Sequence, residues 1–81
     1  MKIFDEITNL SLSNVTILLK ESEAIQLVGY LEELLSNDSA DAHYHLDNDD
    51  YSKEITIALY NPDGNIEHFA EKYKKAILSD E

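Results

Sequence analysis

The chain has no cysteine and no tryptophan, only two glycines and one proline, and all six of its basic residues are lysine. Without cysteine there is no disulfide, no thiolate zinc site and no cysteine nucleophile. So little glycine and proline excludes a collagen-like or low-complexity chain. With no arginine and few bases, the chain lacks the cationic face that grips phosphates and the side chain that most often reads guanine, so direct DNA or RNA binding is excluded. An anionic membrane surface would repel it as well. Aliphatic runs such as Ile17-Leu18-Leu19 are far shorter than the roughly 20 residues that cross a bilayer. Asp5 and Glu6 interrupt the N-terminus before any signal-peptide core. These absences predict a cytoplasmic protein. The triplets beginning at Asn9, Asn14 and Asn37 are then not glycosylation sites.

What is present is an ordinary globular composition carrying an unusual charge. Of 81 residues, 43% are hydrophobic and 28% charged, enough for one small domain, residues 1–81, with a single core. Seventeen acids against six bases give a net charge of −11. No repeat, linker or shift of composition divides the chain.

Apolar spacing predicts the elements in the order strand, helix, strand, strand, helix. Val15, Ile17 and Leu19 alternate with Thr16, Leu18 and Lys20, the period of a strand over 14–20. Ser22 starts a helix in which Ala24, Leu27, Val28, Leu31, Leu34 and Leu35 recur at intervals of three and four. Gly29 in its middle costs about 1 kcal/mol relative to alanine, unless something packs closely there. The helix stops in the turn-forming run Ser36-Asn37-Asp38-Ser39. Ala42, Tyr44 and Leu46 alternate with His43 and His45 in a second strand; Asp47-Asn48-Asp49-Asp50 turns the chain; Ile55, Ile57 and Leu59 mark a third. Asn61-Pro62-Asp63-Gly64 is a turn signal. Asn65 or Asp63 then caps a last helix with Ile66, Phe69, Ala70, Tyr73 and Ile77 on its apolar side and a Glu71–Lys75 pair on its wet side. Residues 1–12 fit neither period and predict a short helical turn with an extended arm, or a fourth, N-terminal strand.

The fold class is therefore α+β: a small two-layer domain with a largely antiparallel three-stranded sheet and both helices on one face. Its other face would carry Leu18, Ala58, Tyr60, Thr56 and the two histidines. That surface is apolar enough to pair with a second copy or another protein, unless the N-terminal arm covers it.

Candidate chemistry is sparse. His43 and His45 lie on one face of a strand, a usable geometry for two metal-ligating imidazoles, with Asp47, Asp49, Asp50 or His68 as a third ligand. A pair of surface histidines explains them without metal. The Asp47 run fails as an EF-hand loop, since Tyr51, Ser52 and Ala58 stand where an oxygen ligand, glycine and glutamate are required. No phosphate loop, nucleophile elbow or buried carboxylate pair is visible, so neither a cofactor nor enzyme activity is expected. Between Asp38 and Glu54 six acids face the single Lys53. Such a patch steers basic partners, as in nuclease inhibitors, immunity proteins and DNA mimics, although acidity alone also serves solubility. The resulting expectation is a noncatalytic protein-contact module. It pairs with a second copy through Leu18, Ala58 and Tyr60, or binds a basic protein through Asp47, Asp49 and Asp50.

Overall fold

A computed structural model describes residues 1–37, 39, 42–61, 64 and 66–78. The chain is α+β, with four short strands in two antiparallel two-stranded sheets and two α-helices. It forms two compact units, one from Met1–Ile17 with Tyr60–Glu81 and one from Leu18–Leu59.

In the first unit, β1 (Ile3–Asp5) pairs with β2 (Leu10–Leu12), with Ile3 opposite Leu12 and Asp5 opposite Leu10. The turn between them is built by Asp5, whose carboxylate accepts the Ile7 and Thr8 amides at 2.9 and 3.4 Å. The Asn9 amide donates to the Asp5 carbonyl, and Asn9 has φ 59°, a left-handed conformation that asparagine tolerates. A 3₁₀ turn at Ile66–His68 precedes α2 (Glu71–Leu78). Phe4 of β1 meets Tyr73 of α2 edge-on, ring centroids 5.3 Å apart, and Phe69 stands 6.5 Å from the same tyrosine. Glu6 closes this contact by accepting from Lys72 Nζ at 2.8 Å and from the Tyr73 hydroxyl. Lys72 Nζ also lies over the Tyr73 ring, 5.1 Å from its centre.

In the second unit, α1 (Glu21–Ser36) packs on a hairpin of β3 (His43–Asp47) and β4 (Glu54–Ala58). The register sets Tyr44 opposite Ile57 and Leu46 opposite Ile55, so these four share the face turned to the helix. Leu34 and Leu46, 3% and 4% exposed, form the centre of this core. Tyr30 of α1 stacks on Tyr44 with centroids 5.2 Å apart and planes 6° from parallel. The helix is entered at Lys20, where the Glu23 carboxylate accepts the Lys20 amide at 2.9 Å. This is the half of a capping box that a glutamate supplies, and it explains why the helix begins before Ser22: a lysine at the cap offers no acceptor of its own.

Several sequence expectations are corrected. Residues 14–20 form no strand. Val15 and Ile17 on one side of the alternation and Leu18 on the other are exposed, and Leu19 alone is half-buried, so the alternation buries no continuous face and finds no neighbouring edge. The single three-stranded sheet gives way to two ribbons, each with its own helix, and the N-terminal strand pairs locally with β2 through the Asp5 turn. The helix expected from residue 66 is split into a 3₁₀ turn and α2, with the Ala70 carbonyl accepting both the Tyr73 and Lys74 amides. Glu71 pairs with Lys74 at 3.4 Å, one position short of the expected Lys75. Asp38, Pro62, Asp63 and Asn65 lie outside the described residues.

Candidate functional site

Three places in the second unit carry the residues singled out by sequence. The first is the outer face of the β3–β4 hairpin. Strand pleating sends His43 and His45 to this exposed side, their ring centroids 5.1 Å apart and edge-on. His45 Nδ1 lies 2.6 Å from Glu54 Oε1 and 2.8 Å from Thr56 Oγ1, its partner across the ladder. A carboxylate at that distance requires the proton on Nδ1, which leaves Nε2 as the nitrogen for any other ligand. Asp47 stands opposite Glu54 in the same ladder, two like charges at one step. Among the described residues no three metal-capable side chains come together. His68 belongs to the 3₁₀ turn of the first unit.

The second place is the β3–β4 turn, residues 48–53, which Asn48 organises. Its carboxamide oxygen accepts the Lys53 amide and its nitrogen donates to Ser52 Oγ, both at 3.0 Å. The Asp50 carboxylate accepts the Ser52 amide, and its bonds to the Ser52 side chain and then to that amide hold its pKa below the usual carboxylate value. Asp49 is bound by Lys20 at 3.0 Å, which raises the lysine's pKa. Two of the three acids expected to receive a basic partner are thus engaged within the unit. Tyr51, 79% exposed, occupies the left-handed region at φ 59°. That conformation is costly for an aromatic residue, and the Asn48 network enforces it.

The third place is α1 itself. At about 100° per residue, its apolar positions run from Tyr30 through Leu34, Leu27, Leu31, Ala24, Leu35 and Val28 to Ile25, an arc of about 220°. A two-stranded hairpin covers only part of such an arc. Leu34, Leu27 and Tyr30 turn inward, while Ile25, Val28, Leu31 and Leu35 stay 64%, 55%, 43% and 77% exposed. The spacing in sequence groups Val28, Leu31 and Leu35 with Ala24, Leu27 and Leu34 in one apolar stripe and leaves out Ile25. The available signal was the width of the arc, since one neighbour calls for a stripe only somewhat wider than about 100°. Gly29 lies beside Ile25 on the next turn, and a Cβ built on it meets no atom within 4 Å.

Of the residues expected on a common sheet face, Leu18 precedes α1 and is 90% exposed, Ala58 ends β4 and is exposed, and Tyr60 lies beyond the strand in the first unit. The Tyr60 hydroxyl is 3.4 Å from the amino group of Met1. With no strand at 14–20, no described sheet joins the three. No helix among the described residues is long and apolar enough to cross a membrane. No protein-family model, curated protein or solved structure matches this chain.

Proposed function

We propose that this chain is a noncatalytic module that works by protein contact, with the outer face of α1 as its contact surface. One observation carries the reading: Ile25, Val28, Leu31 and Leu35 remain exposed on a helix whose opposite side already supplies the core of its unit. Four aliphatic side chains within three turns, with Glu21 and Glu32 set between Val28 and Ile25, make a patch on the order of a few hundred Å², the size that marks interaction sites on small monomers. Such a patch is costly to leave in water, and a binding surface accounts for it. A cytoplasmic setting accords with the absence of cysteine.

The test is a paired replacement, Val28→Gln with Leu35→Gln. Circular dichroism and the urea midpoint should stay close to those of the parent chain, while binding of a hydrophobic-surface dye falls sharply. A large loss of stability with no change in dye binding would place these residues in the core and end the proposal.

A second reading, pairing with a second copy through Leu18 and Ala58, draws support from the exposure of both side chains. Light scattering of the parent chain and of Leu18→Glu separates the two: a dimer that dissociates on that change favours self-association away from α1.

A further inference from the structure

We infer that the occupant of the α1 outer face is a basic amphipathic helix from another protein; this rests on the contact-surface reading above and names its partner. The geometry comes first. Ile25, Val28 and Leu35, with Leu31 at the side, follow the three-and-four spacing by which one helix presents a seam to another. From Ile25 to Leu35 the seam is about 15 Å long, which matches about three turns of a partner helix.

Charge then decides between possible partners. The helix carries Glu21, Glu23, Glu32 and Glu33 and no basic residue. On the helical wheel Glu21 and Glu32 fall between Ile25 and Val28, within the exposed apolar seam. Neither enters an ion pair among the described residues, whereas Lys20 at the start of the helix is already bound by Asp49. A second copy would bring the same acids, no base on its own seam and a net charge of −11. Repulsion between two such chains opposes pairing through this face. A helix with leucine-like residues on one side and lysine or arginine flanking them satisfies both features of the surface: its apolar side covers the seam, and its cations reach Glu21 and Glu32. Gly29 accords with this arrangement: among the described residues, no atom outside the helix's own nearby backbone lies within 4 Å of a Cβ built on it, so a partner helix can approach closely there.

The probe is a synthetic leucine–lysine amphipathic peptide of about four turns. It is titrated into the full chain while backbone amide shifts are followed, beside a scrambled peptide of the same composition and a leucine–glutamate analogue. The inference expects shifts centred on Ile25, Val28, Leu31 and Leu35, and no comparable binding by either control. It also expects at least about a tenfold loss of affinity in Val28→Ser with Leu35→Ser. Glu21→Gln with Glu32→Gln should weaken binding several-fold and flatten its salt dependence. Equal binding by the scrambled peptide, or shifts that avoid α1, would overturn the inference by reducing the contact to bulk charge.

Failure of the partner assignment is distinct from failure of the contact surface. If the peptide does not bind, but the parent chain is a dimer that Val28→Ser with Leu35→Ser dissociates, the surface stands and its occupant is a second copy. If the peptide does not bind and the chain is monomeric, both are refuted.

Discussion

Replacing Gly29 with alanine should stabilise the protein by about 1 kcal/mol. Gly29 sits in the interior of α1, its φ is not positive, and an added Cβ meets no atom within 4 Å. The methyl group therefore brings neither a clash nor a forbidden conformation, and the helical propensity difference of about 1 kcal/mol is realised in full. Part of that gain comes from the unfolded chain, which has fewer conformations to lose once the glycine is gone. For a domain of this length, 1 kcal/mol corresponds to a rise of about 4–8 °C in Tm. Urea unfolding at several wavelengths supplies the free energy, and an unchanged m-value shows that the gain does not come from a more compact unfolded state. Gly29→Pro serves as the opposite control, since a proline in a helix interior costs about 3 kcal/mol or more. Destabilisation by alanine would refute the reasoning, because it would mean that a neighbour approaches the backbone at Gly29 after all. A null result with proline would mean that α1 does not contribute to folding.

Two other perturbations probe different parts of the molecule. The bonds that Glu6 accepts from Lys72 and then Tyr73 lower its pKa from the ordinary value of 4.5, so the stability it contributes is present above that value and is lost as pH falls through the depressed folded one. The gap in urea midpoint between the parent chain and Glu6→Gln should be open at neutral pH and close progressively in acid; a gap that widened in acid would contradict the assignment. At the alkaline end the same bonds raise the pKa values of Lys72 and Tyr73, so their contribution persists at neutral pH and is lost as pH rises through the folded values. Tyr51→Gly should stabilise the β3–β4 turn by about 1 kcal/mol, because glycine adopts the left-handed conformation without the steric cost and the exposed ring forfeits little packing. A loss of stability there would show that the tyrosine ring packs in solution.

Parts of this fold are legible in sequence because their pattern and partner lie close together. The Tyr44 and Leu46 alternation, the acidic turn and the Ile55 and Ile57 alternation read as a hairpin, and the register bears out the expected shared face of His43 and His45. The α1 pattern is equally clear, missing only the first residues of the helix, where Glu23 rather than Ser22 accepts the bond at the cap. Val15, Ile17 and Leu19 show why alternation is not sufficient: the period says that a segment can be a strand, whereas only an available edge makes it one. Of the β1–β2 ribbon only a single N-terminal strand is among the expectations, for the opposite reason. Strands of three residues are too short to show a period, and its signal is the Asp5-to-Asn9 turn chemistry instead. Within the candidate site, apolar spacing reveals that α1 is hydrophobic but not how much of its arc the hairpin covers. Likewise the acidity of Asp49 and Asp50 is visible in sequence, while their engagement by Lys20 and Ser52 depends on three-dimensional proximity.

Helix α1 has two apolar sides, and the core of its unit uses only one of them. Two adjacent leucines separate those sides, Leu34 at 3% exposure and Leu35 at 77%. The deciding measurement is therefore the urea unfolding free energy of Leu34→Ala beside that of Leu35→Ala. A core leucine replaced by alanine costs about 2–5 kcal/mol, whereas an exposed one on a helix costs within about 0.5 kcal/mol. Leu34→Ala should leave the chain strongly destabilised or unfolded, and Leu35→Ala should leave it close to the parent. Comparable losses at both positions would contradict this, since they would place Leu35 in the core and remove the surface on which the proposed contact depends.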